Sequence, residues 1–171
     1  MDEKIKLIAY HANEDDPKKC TAKKLSRFGF ADIITNIKKT PRKAILLNPF
    51  AKKSISKEDL IIAENHGILA VDCSWENVEK SFDFFNKRCT PRALPFVIAV
   101  NPVNYGKAFK LTTLEAFAAA LYIIGKRNQA TEILKIYNWG PQFLEFNKEP
   151  LEDYRKAKNS TEIIEIMKYY I

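Results

Sequence analysis

The chain has 171 residues, of which 46% are hydrophobic and 29% are charged, and its formal net charge is +7. This length and composition suit one well-buried core or two small lobes, and they exclude a disordered or fibrous protein. There is no run of about 18 apolar residues, and MDEKIK is not a signal-peptide start, so we expect a cytoplasmic protein with no membrane partner. Its cysteines, Cys20, Cys73 and Cys89, are odd in number and scattered, which argues against a disulfide framework.

Alternating strand-like and helix-like segments fill the first half of the chain. Strands are predicted over residues 4–11, 43–50, 68–75 and 94–102, and helices over 21–29, 54–67 and about 76–84. Thr21 is a plausible N-cap, and Ser56 and Asp59 have N-cap and N3 spacing. Strands that alternate with helices imply parallel crossovers and an α/β sheet with both faces covered.

The pattern becomes helical after residue 111. Thr112 and Glu115 have the spacing of a capping box, and they open a helix predicted over 111–126. Three further helices are predicted over 127–138, 141–158 and 160–171. We therefore expect an N-terminal α/β lobe, residues 1–92, and a mainly helical C-terminal lobe, residues 93–171, which contributes the fourth strand.

Positive charge is concentrated in one segment. Residues 18–43 contain nine basic residues and one acid, Asp32. Such a segment attracts polyanions and guides their approach. Nucleic acid is the polyanion that we favour, and a solvated surface without a partner is the alternative.

The predicted strand ends are the candidate functional positions, because ligands of α/β sheets lie beyond the carboxyl ends of the strands. LLNPF, VDCSW and AVNPVNYG are turn-rich, and neither G-x-G-x-x-G nor G-x-x-x-x-G-K-[ST] occurs. No Cys or His pair has metal-ligand spacing, so no metal is expected. Asp72 is a candidate general base at a strand end, and the alternative is a cap for the next helix.

Five segments, in chain order, resemble the archaeal and eukaryotic small-subunit rRNA aminocarboxypropyltransferases: DPKKCTAKKL, AILLNPFA, AVDCSW, LPFVIAVNPVNYGKAFKLTTLEAFAAALYI and NWGPQFLEFN. The most specific is NPVNYG followed by a Leu-x-Thr-x-Glu-Ala helix, and the chain is similar to the short archaeal form. The resemblance implies a SPOUT-like fold with a trefoil knot. It also implies S-adenosylmethionine as co-substrate, with transfer of its 3-amino-3-carboxypropyl group to a uridine or N-methylpseudouridine of small-subunit rRNA in ribosome biogenesis.

The resemblance also assigns cofactor contacts. Thr21 matches a threonine that holds the cofactor carboxylate, and an N-cap role is compatible with this. Val71 matches a main-chain contact near the ribose and amino acid portion, while Leu94 and Phe109 match main-chain contacts to the adenine edge. Thr113 matches a polar pocket position, and its alternative is a helix-cap hydroxyl.

Two further roles concern the reaction and the RNA. Trp75 matches a tryptophan that shelters the methyl group of the sulfonium, and its alternative is a core tryptophan between the lobes. Asp72 could accept the proton of the uracil ring nitrogen. The candidate contacts to rRNA phosphates are Lys18, Lys19, Lys23, Lys24 and Arg27.

We therefore expect a monomeric rRNA aminocarboxypropyltransferase whose partner is small-subunit rRNA or a pre-ribosomal subunit. An S-adenosylmethionine-dependent rRNA methyltransferase of the SPOUT class is the first alternative. A non-catalytic RNA-binding assembly factor is the second.

Overall fold

The computed structural model describes residues 3–11, 20–72 and 75–171, except for the side chains of 75–80. Its centre is a five-stranded sheet in which every paired strand is parallel to its neighbour. The strands are β1 (Leu7–His11), β2 (Asp32–Ile34), β3 (Ile45–Leu47), β4 (Ile68–Asp72) and β5 (Thr90–Arg92), and their order is β2-β1-β4-β3-β5. The predicted mixed α/β class is confirmed.

Eight α-helices surround the sheet in the described part of the chain. They are α1 (Thr21–Arg27), α2 (Leu60–His66), α3 (Trp75–Arg88), α4 (Thr113–Ile124), α5 (Arg127–Leu134), α6 (Gln142–Phe146), α7 (Lys148–Lys156) and α8 (Ser160–Met167). Short 3-10 helices lie at Ile37–Lys39 and Lys57–Asp59. None of the helices in the described ranges has the length and apolar character needed to cross a membrane.

The two faces of the sheet pack into different apolar clusters. Leu7 and Ala9 of β1 belong to the larger cluster, which includes most of α4, while Ile8 belongs to a smaller cluster with Phe82 and Phe85 of α3. Successive side chains of a strand point to opposite faces, so α4 and α3 lie on opposite sides of the sheet. Burial of both faces explains why the central strands are continuous apolar runs.

The helix ends follow the sequence signals at most of the predicted positions. The Thr112–Glu115 capping box is present at the start of α4, and the Ser56–Asp59 box is present at the 3-10 helix before α2. Gly67 ends α2 with φ 87°, and a Cβ there would lie 2.8 Å from the carbonyl oxygen of Lys6. The position therefore requires glycine for both backbone conformation and space.

The prediction of Thr21 as an N-cap is wrong. Cys20 is the N-cap of α1, and Thr21 is the first helical residue. The Thr21 hydroxyl instead accepts a hydrogen bond from the main-chain N–H of Leu114 at 3.1 Å. A side chain that could have capped its own helix therefore joins α1 to α4.

The strand predicted over 94–102 is wrong as well, and β2 and β5 are strands that the sequence pattern did not predict. The segment is buried at Val97, Ala99 and Val100, but it pairs with no strand of the sheet that the described residues form. Its main-chain groups bond to a local turn and to side chains, as in the contact from the Ile98 N–H to the Asn147 side chain at 2.8 Å. The apolar residues correctly predicted that the segment is buried. The prediction that it hydrogen-bonds to a neighbouring strand was wrong.

The helix predicted over 141–158 is divided into α6 and α7 at Asn147. The Asn147 amide accepts from the Ile98 N–H and donates to the Ile98 carbonyl at 2.9 Å. It also donates to the Phe143 carbonyl of α6. Asn147, at the break between the two helices, thus provides the hydrogen-bond partner that segment 94–102 would otherwise find in a neighbouring strand.

Candidate active site

The carboxyl ends of β1 and β4 bring together a histidine and an aspartate. The two strands pair in parallel with His11 opposite Asp72, so both side chains lie at the same edge of the sheet. The Nε2 atom of His11 is 3.9 Å from Oδ2 of Asp72, and His11 is almost completely buried. Sequence reasoning placed Asp72 at a strand end correctly but missed His11, which the final position of the first predicted strand could have indicated.

Cys20 completes this cluster from the start of α1. Its thiol donates to Oδ2 of Asp72, with a sulfur–oxygen distance of 3.3 Å. Burial raises the pKa of the Cys20 thiol, and the nearby Asp72 charge acts in the same direction. The sulfur is therefore protonated at neutral pH and is not a reactive thiolate.

The starts of α1 and α4 meet beside this cluster. Thr21 is buried, and its bond to Leu114 places it next to Thr113, the first residue of α4, which is half-buried. The bond uses the Thr21 oxygen as an acceptor, which leaves the hydroxyl hydrogen to donate to another group. Because α4 also packs against β4, the end of this strand lies near the same helix, whereas the side chain of the half-buried Val71 packs against the smaller cluster on the opposite face of the sheet.

The corner NPVNYG is held by a buried carboxylate. Glu115 has no exposed surface, and its carboxylate accepts from the Val100 N–H at 2.7 Å, from the Asn101 side chain at 2.7 Å and from Thr112. Asn101 in turn accepts from the Asn104 N–H at 2.9 Å. The capping-box spacing predicted the contact of Glu115 with Thr112 but not its contacts with the corner.

Leu94 and Phe109 lie at the two ends of the loop that contains this corner. Leu94 is half-buried and packs against the larger core cluster. Phe109 is exposed, with φ 63°, and its ring centroid lies 5.7 Å from that of Phe96. The Phe109 N–H donates to the Val97 carbonyl at 3.2 Å, and within the described residues no main-chain N–H donates to the Phe109 carbonyl.

The basic residues of α1 differ in their surroundings. Lys23 and Lys24 are half-buried, and Arg27 is exposed. The Nζ of Lys24 lies 3.9 Å from the centroid of the Tyr137 ring, and Tyr137 stacks on Trp139. A cation over an aromatic ring is attracted to the ring face, so this lysine combines positive charge with a stacked aromatic pair.

Some predicted site residues fall outside the described part of the structure. Lys18 and Lys19 lie in residues 12–19, and the Trp75 side chain lies within the undescribed side chains of 75–80. Their assigned roles remain predictions.

The carboxyl edge of this parallel sheet carries titratable groups, the starts of helices and a hydrogen-bonded loop corner. Such an edge is typical of α/β enzymes.

The family model "Ribosome biogenesis protein, C-terminal" matches residues 45–171, and "Possible Fer4-like domain in RNase L inhibitor, RLI" matches residues 5–39. The 16S rRNA aminocarboxypropyltransferase of Methanosarcina mazei is 51% identical over 98% of this chain and 95% of its own. The enzyme of the same description from Methanothermobacter thermautotrophicus is 47% identical over 98% of this chain and 99% of its own.

A solved structure has the same fold. It is the SAM-dependent rRNA:acp-transferase Tsr3 from Vulcanisaeta distributa, which is 37% identical with a TM-score of 0.85 and covers 96% of this chain and 97% of that one. The chain belongs to the family of 16S rRNA aminocarboxypropyltransferases, and the family prediction is confirmed.

The description "Fer4-like" of the second family model names an iron–sulfur group. Such clusters are held by several cysteine thiolates, commonly four. Residues 5–39 contain a single cysteine, Cys20. The residues of this segment therefore do not fit an iron–sulfur cluster.

Proposed function

We propose that this protein transfers the 3-amino-3-carboxypropyl group of S-adenosylmethionine to a uridine or N-methylpseudouridine of small-subunit rRNA during ribosome biogenesis. The observation that carries this proposal is the likeness over the whole chain, 51% identity over 98% of its length to a protein described by that activity. It extends to the fold, with a TM-score of 0.85 to a SAM-dependent rRNA:acp-transferase.

The co-substrate would lie at the carboxyl edge of the sheet, between the end of β4, the start of α1 and the loop before α4. Thr21 would donate its hydroxyl hydrogen to the carboxylate of the amino acid portion. Val71 and Leu94 would contribute main-chain groups, and Phe109 would offer its carbonyl to the amino group of adenine. Thr113, at the first turn of α4, would be a polar contact beside Thr21.

The reaction is a displacement at carbon. The ring nitrogen of the uracil attacks the carbon of the aminocarboxypropyl chain next to the sulfonium, the nitrogen–carbon bond forms, and the carbon–sulfur bond breaks. The sulfur leaves as the neutral thioether of methylthioadenosine, and the nitrogen loses its proton. Alignment of nucleophile, carbon and leaving sulfur supplies much of the rate, and Asp72 would accept the proton.

The choice of carbon depends on which substituent of the sulfonium faces the RNA. Trp75 would shelter the methyl group in an apolar pocket and leave the longer chain open to attack. Replacement of Trp75 by alanine is expected to weaken binding of the co-substrate, because apolar contact area is lost.

The RNA would approach along α1, where Lys23, Lys24 and Arg27 would contact phosphates together with Lys18 and Lys19. The family resemblance supports a SPOUT-like fold with a trefoil knot, built from an α/β lobe of residues 1–92 and a mainly helical lobe of 93–171. The monomeric state and the cytoplasmic location stay predictions.

Two experiments test the proposal. Mass spectrometry of small-subunit rRNA from cells that lack the gene should show loss of the aminocarboxypropyl nucleoside, and its unchanged presence would refute the activity. Purified protein incubated with rRNA and S-adenosylmethionine labelled in the carboxyl carbon or in the methyl group should transfer the carboxyl label alone. Transfer of the methyl label would identify a methyltransferase, and transfer of neither label together with RNA binding would identify an assembly factor.

A further inference from the structure

Three side chains of the types that bind transition metals converge at the carboxyl edge of the sheet. They are His11 at the end of β1, Cys20 before α1 and Asp72 at the end of β4. One nitrogen, one sulfur and one oxygen of these residues all lie within 4.8 Å of one another. His11 and Cys20 are buried, and the Asp72 side chain is one-fifth exposed, with a relative accessibility of 20%.

The spacing of the donor atoms is close to that of a tetrahedral metal site. With bonds of about 2.0–2.3 Å to nitrogen, oxygen and sulfur, the donors of a tetrahedral zinc ion stand roughly 3.3–3.7 Å apart. Here the Cys20 sulfur and the Asp72 oxygen are 3.3 Å apart, and the His11 nitrogen and the same oxygen are 3.9 Å apart. The His11 nitrogen and the Cys20 sulfur lie within 4.8 Å of each other, so this pair would move together by up to about 1 Å to hold an ion.

The backbone fixes the positions from which these donors project. His11 and Asp72 are directly opposite in the parallel pair of β1 and β4. Cys20 is the N-cap of a helix whose Leu25 is fully buried in the larger core cluster. Donors anchored in this way lose little further freedom on binding an ion, which favours affinity.

We propose that His11, Cys20 and Asp72 form a mononuclear Zn²⁺ site with a fourth position open to a small ligand. Imidazole, thiolate and carboxylate are the three ligand types that zinc accepts, and three protein ligands with one open position are the usual composition of a non-structural site. An iron–sulfur cluster lacks the cysteines it would need in residues 5–39, whereas a single ion requires one thiolate, which Cys20 supplies when the metal displaces its thiol proton.

This site competes with the role of Asp72 in the proposed reaction, because a carboxylate oxygen bound to a metal is not available to accept a proton. Metal binding and transfer activity are therefore separate measurements. Absorption spectroscopy tests the metal site, and its result does not depend on the outcome of the rRNA assays.

The test uses the full chain, treated with a chelator and titrated with Co²⁺, which reports thiolate ligation through a near-ultraviolet sulfur-to-cobalt absorption band. We expect the band to saturate at one Co²⁺ per chain and to disappear when Zn²⁺ is added. Cys20→Ser should abolish it. His11→Ala and Asp72→Asn should weaken Co²⁺ binding by more than the roughly 10- to 100-fold that loss of an outer hydrogen-bond partner costs.

Cys89→Ser and Cys73→Ser are the matched controls, and both should keep the band. The Cys89 sulfur lies 3.6 Å from the Pro41 carbonyl, away from the cluster, and Cys73 follows Asp72 in the sequence. Absence of the band in the wild-type chain, its survival in Cys20→Ser or its loss in Cys73→Ser would overturn the proposal.

A second measurement needs no variant and covers the case in which Cys20→Ser does not fold. Alkylation of the wild-type protein, followed by peptide mass spectrometry, should be slower at Cys20 with Zn²⁺ present and unchanged at Cys89. Equal alkylation of Cys20 with and without Zn²⁺ would contradict the site.

Discussion

The carboxylate of Glu115 accepts a hydrogen bond from the main-chain N–H of Val100 at 2.7 Å, which joins the first turn of α4 to the corner before it. The same carboxylate accepts from Asn101 and from Thr112, and it is fully buried. A buried carboxylate is tolerated when both of its oxygens accept hydrogen bonds. The corner and the helix that border the proposed co-substrate site therefore depend on one side chain.

Glu115→Gln should destabilise the protein by about 1–3 kcal/mol, because the amide keeps the shape but turns N–H groups toward donors and leaves buried groups unpaired. Urea unfolding measures this loss. Glu165→Gln is the control, since Glu165 is exposed and pairs with Lys168 on the surface, and it should cost less than about 0.5 kcal/mol. Equal stability of the two variants would show that the carboxylate does not hold the corner.

Local patterns predicted the parts of the fold that local forces determine. Continuous apolar runs gave β1, β3 and β4, and the spacing of Thr112 and Glu115 gave the start of α4. Segment 94–102 has a similar apolar run. Its main-chain N–H groups, however, donate to the side chains of Asn147 and Glu115, which lie later in the chain. Its sequence could not show that these partners replace a neighbouring strand.

The same limit applies to the candidate site. Asp72 could be placed at a strand end from its own segment, but its meeting with His11 depends on the register of β1 against β4. The position of Cys20 in this cluster depends on where α1 begins relative to the end of β1. Thr21 carries a polar side chain at a helix start, and only the packing of α4 shows that Leu114 is its partner.

Thr21→Val should weaken binding of S-adenosylmethionine by about tenfold to a hundredfold, because a hydrogen bond to a charged group is worth about 1.5–3 kcal/mol. Calorimetry measures the affinity. Thr21→Ser keeps the hydroxyl and should restore most of it. Thr131→Val, at an exposed position of α5 where the hydroxyl bonds to the Arg127 carbonyl, should leave affinity unchanged. Loss of affinity in Thr21→Ser equal to that in Thr21→Val would assign the effect to packing.

Charge reversal of Lys23 and Lys24 together should lower the affinity for small-subunit rRNA and reduce its salt dependence. Each lost phosphate contact removes roughly 0.7–0.9 from the slope of log K against log salt concentration. Affinity measured over a range of salt concentrations tests this, and binding of S-adenosylmethionine should be unaffected. Lys168→Glu, at the exposed residue directly after α8, is the control and should keep the slope of the wild type. An unchanged slope in the double variant would place the RNA surface elsewhere.

Glu152 should make the stability of the helical half depend on pH. Hydrogen bonds from Arg155 and from Tyr122 of α4 lower the pKa of the Glu152 carboxyl from 4.5 to about 2. A carboxyl whose pKa is lower in the folded state stabilises that state above its ordinary pKa, and this contribution is lost as the pH falls toward the folded-state value. The wild type should therefore lose stability between about pH 5 and about pH 2, and Glu152→Gln should lose less over the same interval. Urea unfolding at about pH 6 and about pH 3 measures the difference, with Glu165→Gln as the surface control. A gap between wild type and Glu152→Gln that is the same at both pH values would show that the ionised carboxylate does not tie α7 to α4.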